Sequence, residues 1–161
     1  MSRLDSFIHR MKAQRDVLNH VRDCLELPKE GPVLEIGLGN GRTFDHLREC
    51  FPERRIIVFD RACGAHGSSV PEEENLVLGE IRETGRAFET GAAALVHADI
   101  GKGYPDKDAV TLTWLPQMVA GMLAPGGIAA SGLPLDDPQL EALPLPDAVP
   151  AGRYFFYRKR G

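Results

Sequence analysis

The stretch Val33-Leu34-Glu35-Ile36-Gly37-Leu38-Gly39-Asn40-Gly41 decides the fold. Val33, Leu34 and Ile36 read as a short buried strand, and Gly37, Gly39 and Gly41 let the chain turn tightly and let a ligand approach the backbone. Residues Arg42 to Phe51 then read as a helix whose first free N–H groups face that ligand. Strand, glycine turn and helix in this order point to a nucleotide-like cofactor. A dinucleotide fingerprint needs G-x-G-x-x-G, with the third glycine packing helix against strand. Gly37 and Gly39 satisfy it, but Arg42 stands in the third place and the extra glycine comes one position early, at Gly41. Glu35 would repel a pyrophosphate and suits a cationic ligand better.

The run Glu35-x-Gly37-x-Gly39-x-Gly41 resembles the first motif of class I S-adenosylmethionine-dependent methyltransferases, whose cofactor carries an amino group and a sulfonium. The segments that follow agree with it. Arg54 to Asp60 is a second strand-like run ending in an acid, about 20 residues beyond the glycine turn, where a βαβ unit places a ribose-binding carboxylate. Such a carboxylate accepts charge-assisted hydrogen bonds from both ribose hydroxyls; the plainer reading is that Asp60 caps a turn. Asn75 to Ile81 is a third short strand followed by Glu80 and Ile81. The resemblance implies that these two meet the adenine amino group and ring, although a glutamate at a helix start is also favoured by the helix dipole.

The fourth strand is Ala92 to Asp99, leading into the loop Ile100 to Pro105. In open α/β sheets the functional crevice lies beyond the carboxyl ends of the strands. His97 and Asp99 leave this strand on one side and Ala98 on the other. The resemblance implies that the cofactor's amino end and the start of the acceptor site lie here. Met122 to Gly132 forms the fifth repeat: a helix end, a Leu-x-Pro-Gly-Gly turn and a small-residue strand. The fold implied is a three-layer α/β sheet, mostly parallel with an antiparallel C-terminal strand, in the order 3-2-1-4-5-7-6. The cofactor implied is S-adenosyl-L-methionine, held by Glu35, Gly37, Leu38, Gly39, Asn40, Gly41, Asp60, Arg61, Glu80, Ile81 and His97.

The 161 residues suit one domain with a real core. An N-terminal helix over 1–28, a cofactor-binding core over 32–132 and C-terminal strands over 133–161 are expected. The net charge of −4 argues against nucleic acid as a partner and leaves a small-molecule methyl acceptor, with a homo-oligomer open. No apolar run reaches membrane-spanning length, charged residues interrupt the N-terminus, and Cys24, Cys50 and Cys63 lack metal-site spacing, so a cytoplasmic protein with reduced thiols is expected.

Ser2 and Asp5 form a capping-box-like start to the first helix, and Pro28 ends it. Leu4, Phe7, Met11, Leu18, Val21 and Leu25 recur at helical spacing as a core-facing stripe with Gln14 as the polar interruption. Arg10, Arg15 and Arg22 then read as a solvated face. The alternative places this helix over the crevice, so that Gln14 or Arg15 reaches substrate. The crossover between Asp60 and Asn75 is too short for a full helix. Asp106 to Leu123 is expected to be helical with a break near Trp114-Leu115, because Pro116 removes a backbone donor. Trp114 reads as core or as a substrate platform. Five prolines from Pro134 to Pro150 exclude a long helix and leave Leu140–Leu145 and Arg153–Arg158 as strands.

For chemistry, the candidates are His97 and Asp99 as bases, with His titrating near neutrality, and Tyr104 as an orienting group. A base is needed only for an acceptor protonated at working pH. The chain has no Asp/Asn-Pro-Pro-aromatic sequence after its fourth strand and no Pro-Cys pair, which by the resemblance disfavours adenine-amino and cytosine-C5 methylation. Ser131-Gly132 stands where a metal-dependent relative would carry acids, and Asp136 and Asp137 alone do not make a hard-metal site, so no metal is expected. Two rivals stay open: a cofactor-binding module without turnover, and a nicotinamide-dependent oxidoreductase.

Overall fold

The computed structural model describes residues 1–161. Its frame is one seven-stranded sheet: β1 (Val33–Ile36), β2 (Ile56–Asp60), β3 (Leu76–Leu78), β4 (Ala93–Ala98), β5 (Leu123–Ser131), β6 (Leu140–Ala142) and β7 (Phe155–Lys159). The order across it is β3-β2-β1-β4-β5-β7-β6. The first five strands pair in parallel, and β7 runs antiparallel to both β5 and β6. Every residue of β1 and of β4 is buried, as expected for parallel strands covered on both faces. The sheet order is the one expected from the resemblance.

Alternate strand residues feed two cores. On one face Val33, Val58, Leu95 and Phe156 pack against α1 (Arg3–Cys24) and α2 (Arg42–Cys50), through Val17, Leu18, Phe44 and Leu47. On the other, Leu34, Phe59, Val96 and Ala129 pack against α5 (Leu115–Met122). Between these lie α3 (Ile81–Thr84), extended by a 3-10 turn over Gly85–Phe88, and α4 (Pro105–Thr111). The crossover from β2 to β3 is reduced to two single 3-10 turns, at Gly67–Ser69 and Glu73–Asn75, as its length requires. No helix in the chain is long and apolar enough to cross a membrane.

The break near Trp114-Leu115 is present. The helix starts at Pro105, one residue before the expected position, stops at Thr111, and resumes at Leu115 with Pro116 in its first turn, where a missing N–H costs nothing. Strand β6 is shorter than the expected Leu140–Leu145 because Pro144 cannot donate to the ladder.

The apolar stripe of α1 needs correction. Ala13, Gln14, Val17, Leu18 and Val21 are buried, but Leu4 is 66% exposed and Phe7 42%. The reason is length. A helix of 22 residues runs about 33 Å, whereas the six-residue β4 spans about 20 Å. The first turns of α1, started by the capping box of Ser2 and Asp5, therefore project past the carboxyl edge of the sheet.

Gly41 is a glycine that the fold itself requires. It is the N-cap of α2 at φ +90°, and a Cβ there would stand 2.7 Å from Ser69 Cβ and 2.9 Å from Ser69 O. Gly41→Ala is expected to lower stability by about 1–3 kcal/mol, read as an earlier urea midpoint with an unchanged slope.

Candidate functional site

The carboxyl ends of β1 and β4 set the site. Glu35 lies beside His97 in the parallel register, and both point to the α1 side of the sheet. Since β1 and β4 are covered, neither residue has any exposed surface. His97 Nδ1 is 2.7 Å from Glu35 Oε1, and His97 Nε2 contacts the Tyr154 hydroxyl. Gln14, reaching down from α1, closes the group: its Nε2 donates to Asp99 Oδ2 at 3.1 Å and to the Tyr154 oxygen at 3.4 Å, and lies 3.3 Å from His97 Nε2. The second oxygen of Glu35 is buried without a partner.

Electrostatics follow from this burial. Desolvation pushes the Glu35 carboxyl above the usual range, and the pull of His97 only partly offsets it. Burial disfavours the His97 imidazolium, but the charge and hydrogen bond of Glu35 outweigh that and raise it. Both groups are thus biased toward keeping a proton. Burial, with the charges of Asp99 and Glu35, raises Tyr154 well above the ordinary range for a phenol, so it stays neutral.

The cofactor-side residues converge above this floor. Asp60 Oδ2 accepts from the backbone N–H of Leu38 at 2.8 Å and of Gly39 at 3.1 Å, while Oδ1 accepts from Arg61 N at 2.6 Å. The acid at the end of β2 thereby clasps the glycine turn and stays half-buried at the cleft. Arg61 pairs with Glu80 at 3.1 Å across the rim. Gly37, Gly39, Asp60, Glu80, Ile81 and Asp99 share one cavity of about 670 Å³, against which Trp114 also lies. Leu38 and Asn40 line a smaller neighbouring cavity of about 200 Å³, with Gln14 and Arg42. Gly39 has no heavy atom within 4 Å of where a Cβ would stand, so the turn is open toward these cavities.

The remaining expected residues fall elsewhere. Glu35 and His97 lie beneath the cleft rather than on its wall; the partner that Glu35 meets is an imidazole of its own chain. Gly41 is buried behind the turn. Tyr104 caps α4, is 60% exposed, and carries Lys107 Nζ 4.9 Å above its ring, outside the cavities described. Arg15 pairs with Asp16 on the surface at 3.2 Å, so of the two side chains offered by α1 it is Gln14 that enters the site.

A third cavity, of about 600 Å³, lies under the projecting turns of α1. Asp99 lines all three cavities and is the junction between them. Tyr154 forms part of its wall, a residue that sequence reasoning saw only as the start of a strand. Gln14, the polar break in an apolar stripe, is the signal within α1 for this buried cluster.

Comparison with known proteins agrees with this geometry. Residues 1–159 match the family model described as S-adenosyl-L-methionine methyltransferase. A crystal structure of an S-adenosyl-L-methionine methyl transferase from Silicibacter pomeroyi DSS-3 is 42% identical with a TM-score of 0.89, the match covering 99% of each chain. More distant likenesses show the fold alone. The antibiotic-resistance methyltransferase Kmr matches at 14% identity and TM-score 0.54, over 91% of this chain and 93% of that one. Geranyl diphosphate C-methyltransferase from Streptomyces coelicolor A3(2), solved with S-adenosyl-L-homocysteine, matches at 14% identity and TM-score 0.54, over 75% of this chain and 42% of that one. No match was found among curated proteins. With the glycine turn, the acid at the end of β2 and the sheet order all in place, the chain belongs to the S-adenosyl-L-methionine methyltransferase family.

Proposed function

We propose that this S-adenosylmethionine-dependent methyltransferase is a single-domain enzyme that holds its cofactor in the cleft between Gly37, Asp60 and Glu80 and methylates a small molecule held under α1. The observation that carries the reading is that the cofactor cleft and the cavity under the helix adjoin at Asp99 and Lys102, the two side chains that line both. The donor set of the cleft fits a nucleoside with a cationic tail. Asp60 has lone pairs left for a ribose diol, Glu80 can accept from an exocyclic amine, and Ile81 offers an apolar surface to a ring. Gly39 keeps the backbone approachable from the cleft, while Gly37 lets Ile100 and the Asp99 backbone pack against the turn.

The cofactor, when bound, supplies a methyl group already activated by its sulfonium. The work left to the chain is alignment, which contributes much of the rate when reacting atoms are held in line. Gln14 fixes the Asp99 carboxylate at the junction, where it attracts the cationic end of the cofactor and can take a proton from an acceptor that carries one. His97 acts through Gln14 as a positioning residue, since it lines none of the cavities, whereas Tyr154 both braces Gln14 and forms part of the wall under α1. Cys24 and Cys63 are exposed free thiols, and Cys50 is a buried one, which supports a reducing, cytoplasmic setting.

The test is a thermal-shift panel followed by methyl transfer. S-adenosylhomocysteine at a hundred times its dissociation constant is expected to stabilise the fold by about 2.7 kcal/mol, and NAD(H) to leave it unmoved. Radiolabelled methyl should then appear on a compound from a metabolite extract. Stabilisation without transfer to any compound would instead favour the cofactor-binding module, and stabilisation by NAD(H) alone would overturn the assignment of the cleft.

A further inference from the structure

The cavity under α1 is lined by Arg3, Arg10, Lys102 and Arg153. These four cations come from three separate places: the projecting turns of α1, the loop after β4, and the residue before Tyr154 at the entry to β7. Arg3 and Arg10 stand seven residues apart on α1, with Ser6 and Phe7 between them on the same face. None of the four forms an ion pair, whereas Arg15, Arg22, Arg48, Arg61 and Arg160 each have a carboxylate partner. The two acids on the wall are outnumbered two to one by these cations, and their hydrogen bonds come from neutral amides. Asp108 accepts from the backbone N–H of Lys102 at 2.8 Å and of Gly103 at 3.1 Å, and Asp99 accepts from Gln14.

This arrangement runs against the composition of the chain, in which 23 acids outnumber 19 bases. Unpaired like charges gathered round one concavity repel each other and focus a positive potential into it. The site gains by admitting a negative group, which guanidinium forks bind by charge-assisted, often bidentate hydrogen bonds. Phe7, Leu133 and the ring of Tyr154 give the same cavity an apolar wall. We propose that the methyl acceptor is a small organic anion, a carboxylate or phosphate ester with an apolar body, whose charged group is held by Arg3, Arg10, Lys102 and Arg153. The proposal rests on the reading that this cavity, joined to the cofactor cleft at Asp99, holds the acceptor. A longer polyanion fits less well, because the cations ring a cavity of about 600 Å³ rather than forming a track across the surface.

The experiment uses the whole protein saturated with S-adenosylhomocysteine and four probes of one ring size, benzoate and phenyl phosphate against benzamide and phenol, titrated by ligand-observed NMR. One or both anions are expected to bind at least about tenfold more tightly than either neutral probe, and the difference between the two anions tells carboxylate from phosphate. Arg3→Gln with Arg153→Gln is expected to remove about tenfold of that preference, with the affinity for S-adenosylhomocysteine retained. Equal binding of neutral and anionic probes, or an undiminished preference in the double variant, overturns the inference. So does tighter binding of a 20-nucleotide RNA that the same double variant weakens, which would make the cavity part of a nucleic-acid surface. Failure of S-adenosylhomocysteine to bind the unaltered protein would count instead against the cofactor cleft, so the two readings fail separately.

Discussion

Asp60→Ala is expected to weaken S-adenosylhomocysteine binding by more than a factor of about a hundred, to the point where thermal stabilisation by the compound disappears. Two hydrogen bonds from ribose hydroxyls to a carboxylate are lost, each worth about 1.5–3 kcal/mol when the acceptor is charged, and each 1.4 kcal/mol is about tenfold in affinity. A second loss adds to it. Asp60 also draws the N–H groups of Leu38 and Gly39 toward β2, so alanine releases the turn that the ligand must meet. The cost to the fold itself is about 1–3 kcal/mol, because the freed N–H of exposed Gly39 finds water while that of Leu38, a buried residue, is left without its partner. Asp60→Asn keeps the shape but loses the charge and should fall between the two. Calorimetric titration separates these outcomes from unfolding. Unchanged affinity in the alanine variant would remove Asp60 from the cofactor site.

His97→Leu is expected to destabilise the protein by about 3–5 kcal/mol, because it leaves Glu35 buried with neither oxygen paired. For a chain of this size that is a fall in Tm on the order of 10 °C. Adding Glu35→Leu should recover much of it, since a buried pair replaced by apolar residues is often close to neutral. The pH dependence carries the same signature. Both folded values are raised, so the native state holds protons that the unfolded chain gives up, and stability falls as pH rises. The His97 contribution is fully present below the ordinary value of 6.5 and is lost as pH climbs through the raised folded value. The Glu35 contribution behaves alike, starting from 4.5. Urea titrations across this range should therefore show unaltered protein losing stability relative to the double variant as pH increases. A relative gain would mean that the pair is a simple ion pair with a depressed Glu35, contrary to the burial of both groups.

The legible part of the site is the part made by short-range pattern. Gly37-x-Gly39-x-Gly41 after an apolar run, and Asp60 at the end of the next strand, are local features. The chemistry of a turn and the geometry of a βαβ unit leave them little freedom. The sheet order came through the family resemblance that those features carry. His97 shows where such reading stops. Its place at the carboxyl end of β4 marked it as a base facing substrate, and spacing put it on the correct side of the strand. Whether that side was open depended on α1, some eighty residues earlier in the chain, and Gln14 and Tyr154 close it.

Arg10 is the converse case. Its charge assigns it to solvent, although it stands four residues before Gln14 and seven before Val17, on the face that α1 buries. It lines a cavity because α1 is longer than the strands it covers and carries its first turns past the sheet edge, where Lys102 and Arg153 arrive from other elements.

The sequence alone determined the elements, the glycine turn and the acid at the end of β2, and through these the cofactor, because each depends on residues close together in the chain. Only the tertiary structure decided which polar groups are sealed and which face a ligand, because that depends on where distant segments meet. It buried Glu35 and His97 as a pair, left Asp99 at the junction, and gathered four unpaired cations where an acceptor would sit.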